Sequence, residues 1–323
     1  MQNLVTIFGG SGFVGSQVVR ALAKEGWRIR VAVRQPHLAH TMRLKGDVGQ
    51  VDVVQANIRN EASISRALEG ATAAINLVGV LYESGRQGFQ AVHAMGAQNV
   101  ARIAKAAGVE RLVQMSALGA DPESPSKYAQ TKAMGEAEAR AAFPSAVIVR
   151  PSIVFGPEDH FFNRFAGLAA MAPALPLIGG GKTLFQPVFV GDVANAIARI
   201  LADPASDAQT FELGGPARFS FRELMELTLA EIRRRRALIP LPFAAAGLIG
   251  AGGDLLAFLG LPPPLTTDQV TLLRTDNVTS GACPGLAELG ITPTTLEAVL
   301  PTYLYVYRKG GQFADQEERI VLA

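Results

Sequence analysis

Cysteine is nearly absent: Cys283 stands alone among 323 residues. That excludes an internal disulfide and any thiolate metal cluster, and it suits a reducing compartment. The four histidines, His37, His40, His93 and His160, show no ligand spacing, so no metal site is expected. Charge of one sign is missing too. Thirty basic groups face 28 acidic ones for a formal net charge of +2, which lacks the field that a nucleic-acid partner requires. No basic segment with an apolar run precedes the strand-like "NLVTIF" from Asn3, so no signal peptide is expected and Met1 reads as the mature start. The most apolar later stretch, "PFAAAGLIGAGGDLLAFLGLPPP" from Pro242, is broken by Asp254 and several glycines. It falls short of the roughly eighteen residues that a spanning helix needs, while contact with a membrane or an apolar partner stays open.

What is present is an apolar-leaning globular chain, 49% hydrophobic and 18% charged, long enough for one large domain or two ordinary ones. Short apolar runs ("LVTIF", "IRVAVR", "VDVVQAN", "AAINLVG", "RLVQMSA", "AVIVRP") alternate with amphipathic stretches long enough for crossovers. Such alternation predicts parallel β/α units with both sheet faces covered.

The first turn, "FGGSGFVGSQVVRAL", sets Gly9, Gly12 and Gly15 between a strand and a helix. Early glycines let the backbone turn tightly and approach a pyrophosphate, which the helix N-terminus then holds; Gly15 allows helix and strand to pack closely. Residues Gly9, Gly10, Ser11, Gly12, Phe13, Val14 and Gly15 are therefore expected to bind a dinucleotide. Arg34 ends the second strand, where NAD sites usually place an acid on the ribose 2′-hydroxyl. A guanidinium there pairs with a 2′-phosphate instead, so NADPH or NADP is expected in preference to NAD(H). Asn57 and Ile58, after the third strand, are placed beside the adenine. Asn76, Leu77, Val78 and Gly79, after the fourth, are placed along the cofactor.

In "SKYAQTKAMGE", Tyr128 and Lys132 lie four residues apart on one helix face. An ammonium beside a phenol is expected to lower its pKa and make it a usable proton donor and acceptor. Chance alone gives this spacing in roughly one such chain in nine, so context has to carry the argument.

The context is a strand ending at Ser116, followed by the Tyr128/Lys132 helix. With it the first half resembles the short-chain dehydrogenase/reductase superfamily in its extended form. The resemblance implies that Tyr128 is the general acid/base, that Lys132 lowers its pKa and binds the nicotinamide ribose, and that Ser116 orients a substrate carbonyl. Pro151 and Ile153 join the cofactor-binding set on the same ground. "PVFVGDVANAIARIL" from Pro187 and "TFELGGP" from Thr210 match that family's return to the nucleotide domain. The implied fold is α/β: a Rossmann-type doubly wound parallel sheet with a smaller C-terminal α/β cap domain. Residues 1–156 plus about 186–216 form the nucleotide-binding part, and 157–185 plus 217–323 the smaller substrate- or partner-docking part.

Longer matches ("VRPSIVFGPEDHFFNRFA" from Val149, "LFQPVFVGDVA" from Leu184, "PLTTDQVTLLRTDNVTSG" from Pro264, "YLYVYRKGGQFA" from Tyr303) resemble the family of nucleotide-binding accessory subunits of respiratory complex I (NADH:ubiquinone oxidoreductase) and their bacterial relatives. This implies an atypical reductase fold holding NADPH near the junction of the peripheral and membrane arms, far from the electron path, with complex I subunits as partners. The implied location is cytoplasmic and peripheral on the inner face of a bacterial inner membrane, or the matrix side in a mitochondrion. Two features favour a clamp without turnover: His93 stands where many active relatives carry asparagine, and only eleven residues separate Ser116 from Tyr128. The alternatives are a free NADPH-dependent reductase of a small carbonyl working through Tyr128/Lys132, and a sensor of the NADPH/NADP ratio.

In the second half, Phe161, Phe162 and Phe165 sit at helical spacing, as core packing or as a substrate box. Asp159 and Arg164 are candidate contacts to a polar ligand, and Asp192 is expected to cap the helix "VANAIARIL". Arg233, Arg234, Arg235 and Arg236, followed by an apolar helix, suggest anionic lipid headgroups or a membrane-embedded partner; a solvated helix end is the plain alternative. The C-terminal "GGQFADQEERIVLA" reads as a tail or a partner-binding arm.

Overall fold

The apolar run Leu4–Phe8 forms β1 and leads through the glycine turn into α1 (Phe13–Lys24). The computed structural model describes residues 3–313, so most of the C-terminal arm, from Ala314 onward, lies outside the described residues. There follow β2 (Arg28–Val33), β3 (Val51–Gln55), α2 (Glu61–Leu68), β4 (Ala73–Asn76), α3 (Met95–Ala106, entered through a π-helical turn at Gln90–Ala94), β5 (Arg111–Met115), α4 (Lys127–Ala142) and β6 (Val147–Pro151). The second half holds β7 (Val154–Phe155), α5 (Phe162–Met171), β8 (Ala174–Ile178), β9 (Leu184–Phe185), β10 (Val188–Phe189), α6 (Val190–Ala202), β11 (Thr210–Leu213), β12 (Phe219–Ser220), α7 (Phe221–Glu231), β13 (Ala237–Leu241), α8 (Phe243–Phe258), α9 (Thr267–Leu272), α10 (Leu296–Val299) and α11 (Pro301–Leu304).

Seven parallel strands form one sheet in the order β11-β6-β5-β4-β1-β2-β3. The chain leaves β1 toward β2 and β3, then returns on the other side at β4. The carboxyl ends of β1 and β4, with Phe8 opposite Asn76, are thus the switch point of a doubly wound Rossmann sheet. Helices cover both faces as the alternation predicts. Val18, Val19 and Leu22 of α1 pack with Val193, Ile197 and Ile200 of α6 on one side. Ile64, Leu68, Val100, Ile103 and Phe143 fill the other.

A second core is aromatic. Phe155, Phe162 and Phe221 are fully buried, and Phe161 and Phe165 pack against Phe221 at centroid distances of 6.2 and 5.4 Å. The phenylalanines at helical spacing therefore form core. Asp159 is also structural: it accepts from the backbone N–H of Gly156, Phe162 and Asn163, and from the Tyr303 hydroxyl. Arg164 is exposed. The stretch from Pro284 to Ile291 returns to the nucleotide sheet, where Leu286 is buried beside the α1/α6 core and Glu212 N donates to Pro284 O at 2.9 Å. This stretch therefore packs on the nucleotide sheet.

Two local expectations are corrected. The helix α6 begins at Val190, because β10 runs directly into it, and Phe189 is its cap residue. Asp192 then lies inside the first turn, where its carboxylate accepts from Thr294 N (2.7 Å) and Thr294 Oγ1 (3.1 Å). The arginine run is also not beside the apolar helix, since β13 intervenes and pairs in parallel with β8. Arg234 Nε donates to Tyr307 O (2.9 Å) and Arg236 Nε to Ala169 O (2.7 Å), so these two arginines fasten the fold.

Close helix packing depends on specific glycines. A Cβ on Gly135 of α4 would collide with the His93 carbonyl oxygen, whereas one on Gly252 of α8 would meet nothing within 4 Å. Gly135→Ala should cost about 1–3 kcal/mol through overpacking, while Gly252→Ala should gain up to about 1 kcal/mol from helix propensity. Thermal unfolding of both variants checks the opposite signs.

Candidate functional site: a nucleotide cleft with a buried lysine

The backbone turns sharply after β1 with Gly9 at φ +79. Gly9 N donates to Ala32 O and Gly12 N to Gly9 O, each at 3.1 Å, which folds Gly9, Gly10, Ser11 and Gly12 against the ends of β2 and β4. A Cβ on Gly9 would lie 3.2 Å from Val78 Cγ2, and one on Gly15 would lie 2.5 Å from Gly9 O. Gly15 therefore lets α1 sit on the turn. The helix has no side-chain cap and no acid in its first turn. Its N–H groups around Phe13 and Val14 suit a diphosphate.

The other expected contacts line the same edge. Arg34 Nη1 donates to Gln87 Oε1 at 2.6 Å, and Arg59 Nη1 to Arg86 O at 2.5 Å, so the loop after β4 bends back over the ends of β2 and β3. Asn57 Oδ1 accepts from Arg59 N (3.1 Å), and Ile58 is buried against Gly96. Leu77 N donates to Phe8 O (3.0 Å) and Val78 N to Asn76 Oδ1 (3.2 Å). At β6, Pro151 O accepts from Leu118 N (3.0 Å), while Ile153 N donates to Asn277 Oδ1 (3.2 Å).

Ser126 caps α4 by accepting from Ala129 N, which sets Tyr128 and Lys132 on its first turns. The Tyr128 ring stands edge-on to Phe89 and His93, at centroid distances of 5.8 and 5.3 Å. Lys132 Nζ lies 5.7 Å from the Tyr128 ring centroid, and a Cβ on Gly79 would come within 3.2 Å of that nitrogen. Glycine at 79 thus leaves room for the ammonium. Ser116 holds its place through Ser116 N to Val149 O (2.7 Å), and its buried Oγ has no hydrogen-bond partner among the described residues.

The model of the NAD dependent epimerase/dehydratase family matches residues 5–214, about two thirds of the chain. The chain belongs to that family. It is 36% identical over 316 residues to the mitochondrial NADH dehydrogenase [ubiquinone] 1 alpha subcomplex subunit 9 of Arabidopsis thaliana, covering 95% of this chain and 79% of the relative. It is 38% identical over 262 residues to a ceramide reductase of Caulobacter vibrioides, with 80% of each chain covered. Among solved structures, the NADPH-dependent quinone oxidoreductase QOR2 of Escherichia coli, complexed with NADPH, aligns with a TM-score of 0.72 at 22% identity over 93% of this chain and 98% of that one. DesIV, a dTDP-glucose 4,6-dehydratase of Streptomyces venezuelae with NAD and TYD bound, aligns at 0.68 and 21% over 94% and 96%. At such identities these two likenesses concern the fold.

The site is therefore an NAD(P)-binding cleft of the epimerase/dehydratase type, and its own chemistry fits such a ligand. The buried Ser116 hydroxyl has no partner among the described residues, and the N-terminus of α1 carries no side-chain cap, so both could serve a bound nucleotide. No ion pair to Lys132 is formed among the described residues, and Glu136, one turn on, is held by Arg150 through Nε (2.8 Å) and Nη2 (2.6 Å). Burial lowers the Lys132 amine to about 8, with Glu136 opposing. The expected lowering of the Tyr128 pKa is reversed. Burial first and the Asp268 charge second push the phenol up to about 12. At neutral pH an amine at about 8 is still mostly charged.

His93 is fixed as a neutral ring. Val80 N donates to His93 Nε2 (3.1 Å), which assigns the proton to Nδ1, facing Thr131 Oγ1 at 3.1 Å. Burial and then the Lys132 charge lower its pKa to about 3. Phe89, Thr131, Asp268 and Asn277 belong to this neighbourhood although no local pattern in the sequence marks them. Asp268 and Asn277 do lie in the stretch "PLTTDQVTLLRTDNVTSG", where only the resemblance points to them.

The Lys132 shift has a measurable consequence. Its folded pKa lies below the unfolded value of 10.5. Stability is therefore fully present above the unfolded value and is lost as pH falls through about 8. Thermal stability should rise between pH 8 and 10, by up to about 3 kcal/mol in all. Lys132→Met should flatten that rise. Calorimetric scans of both proteins across this window check it.

Proposed function

We propose that the protein is an NADP(H)-holding accessory or assembly subunit of a respiratory complex I. The observation that carries this reading is the likeness to the alpha subcomplex subunit 9 relative, which runs through 95% of the chain, far beyond the 5–214 of the common nucleotide fold.

Tyr128, Lys132, Ser116 and Gly79 then hold the nicotinamide ribose and ring. Pro151 and Ile153 border them, and Asn57 and Ile58 flank the adenine. Arg34 and Arg59, drawn together by the Arg86–Gln87 loop, favour a 2′-phosphate and hence NADP(H). No helix among the described residues is long and apolar enough to cross a membrane. Attachment is peripheral, on the inner face of a bacterial membrane, near the junction of the complex's arms. The outer face of α8 supports this: Leu248 is 79% and Phe258 83% exposed, and Leu255 lies open beside them. Arg235, exposed near the start of β13, supplies charge for anionic headgroups.

A second reading, a free NADPH-dependent ketone reductase, is favoured by the unpartnered Ser116 Oγ and by the ceramide reductase relative. A reduced nicotinamide supplies the hydride when bound. Ser116 would donate to the substrate carbonyl oxygen, Tyr128 would pass its hydroxyl proton to that oxygen, and Lys132 would hold the ribose and stabilise the phenolate left behind.

Affinity capture of the natively expressed protein from gently solubilised membranes tests the first reading. Complex I subunits should be recovered in near-equal amounts; a protein that stays soluble and alone overturns it. Arg34→Asp should weaken NADPH binding by about tenfold or more while sparing NADH, through loss of charge-assisted contacts. Titration with both nucleotides measures that. Under the second reading, NADPH oxidation with a long-chain ketone should vanish in Tyr128→Phe.

A further inference from the structure

Residues Thr266 to Ser280 run from the second domain across the nicotinamide end of the cleft. Thr266 and Gln269 form a capping box that starts α9 rigidly. Asp268 then reaches α4 from 140 residues away in sequence: Oδ2 accepts from Ser126 Oγ (2.9 Å) and Tyr128 N (3.2 Å), and Oδ1 from Lys127 N (2.7 Å). Nine residues on, Asn277 Oδ1 accepts from Ser152 Oγ (2.8 Å) and Ile153 N (3.2 Å), and its Nδ2 donates to Leu118 O (3.4 Å). Thr279 and Ser280 close the run on Gln186 and Glu212.

We propose that Asp268 and Asn277 are positioning residues of the nucleotide site, two staples by which a strap from the docking domain fixes the first turn of α4 relative to the end of β6. Neither residue touches the reacting atoms. Each binds backbone groups of residues at the site, Tyr128 on one side and the cofactor-bordering Ile153 on the other. The inference rests on the nucleotide reading of the cleft and adds the element that keeps its nicotinamide end in register.

The strap is also wedded to the exposed helix. A Cβ on Gly253 of α8 would collide with Leu265 O, and one on Gly250 would lie 2.8 Å from Thr267 N, while Asp254 binds Thr267. Helix α8 and the start of the strap therefore move as one body. A cavity of about 570 Å³ lies between them and the 82–89 loop, walled by Phe258, Thr271 and Asp268 on one side and by Tyr82, Phe89 and Lys127 on the other. Whatever covers α8 or fills this cavity bears on Asp268, and through it on Tyr128.

The charged and titratable groups set against the Tyr128 ring or phenol are Asp268 of α9, Lys132 of α4 and His93 of the π-helical turn, held neutral. Removing the Asp268 charge lowers the electrostatic cost of the phenolate, whereas removing its oxygens frees the α4 terminus.

The test measures two quantities in the full-length protein: NADPH release by stopped-flow fluorescence, and phenolate absorbance on alkaline titration, with Tyr128→Phe subtracted. Asp268→Asn, which keeps an acceptor, should move the Tyr128 transition to lower pH and leave release within about twofold. Asp268→Ala and Asn277→Ala should each speed release by about tenfold, the scale of a lost helix cap or buried acceptor. Asp276→Asn, whose carboxylate binds only Leu184 N within the docking domain, should change neither quantity. The proposal is overturned if Asp268→Asn leaves the Tyr128 transition in place, or if the two alanine variants fold and release NADPH at the wild-type rate. A wild-type protein that binds neither NADPH nor NADP sinks the nucleotide reading instead, and the titration still reports on the strap.

Discussion

Lys132 carries its amine into a space bounded by Gly79, His93 and the Tyr128 ring, where no carboxylate is left to neutralise it. It is only 8% exposed, and its lowered pKa corresponds to about 3 kcal/mol against charging it. Its neighbours are arranged around that cost. His93 cannot add a second positive charge and stays neutral, with both ring nitrogens engaged. Glu136 would be the natural counter-ion but is spent on Arg150. A lysine so placed gains most from a ligand that brings hydroxyl oxygens and negative charge, which the ribose and diphosphate of a nucleotide supply.

The second domain answers a different constraint. Its small strands pair only two by two, so they cannot hold themselves together. An aromatic core and buried polar ties, such as Asp159 to Tyr303, do that instead. The strap from Thr266 to Ser280 then transfers this stiffness to the nucleotide site by satisfying backbone groups that the sheet leaves unpaired at its carboxyl edge. The two domains share hydrogen bonds where the cofactor cleft needs fixed geometry, and α8 shares its close contacts with the same strap.

The legible part of the sequence was whatever depends on neighbours in the chain. Gly9 and Gly15 announce a tight turn because only glycine tolerates it, and the alternating apolar runs announce a sheet covered on both faces. Tyr128 and Lys132 share a helix face at a spacing of four. Asp268 and Asn277 were illegible as functional residues, since their partners lie more than 100 residues away. Asp192 misled because its spacing fits a cap, whereas β10 enters the helix three residues sooner. In the arginine run the sequence could not show that Arg234 and Arg236 find carbonyl oxygens of distant segments, which leaves Arg235 as an exposed charge. The direction of the Tyr128 shift was hidden as well: the sequence places a cation beside the phenol and shows neither its burial nor the Asp268 carboxylate.

That direction bears on what the pair can do. A phenol held near 12 stays protonated through the neutral range, so it can give a proton but is poorly placed to take one. A neutral phenol suits a site that holds a nucleotide, since an ionised tyrosine beside a negative ligand would weaken the grip. With its amine at about 8, Lys132 is still mostly charged at neutral pH, and an ammonium beside the Tyr128 ring lowers the cost of a phenolate. Ser116 Oγ, buried and without a partner among the described residues, is the group that carbonyl chemistry would use.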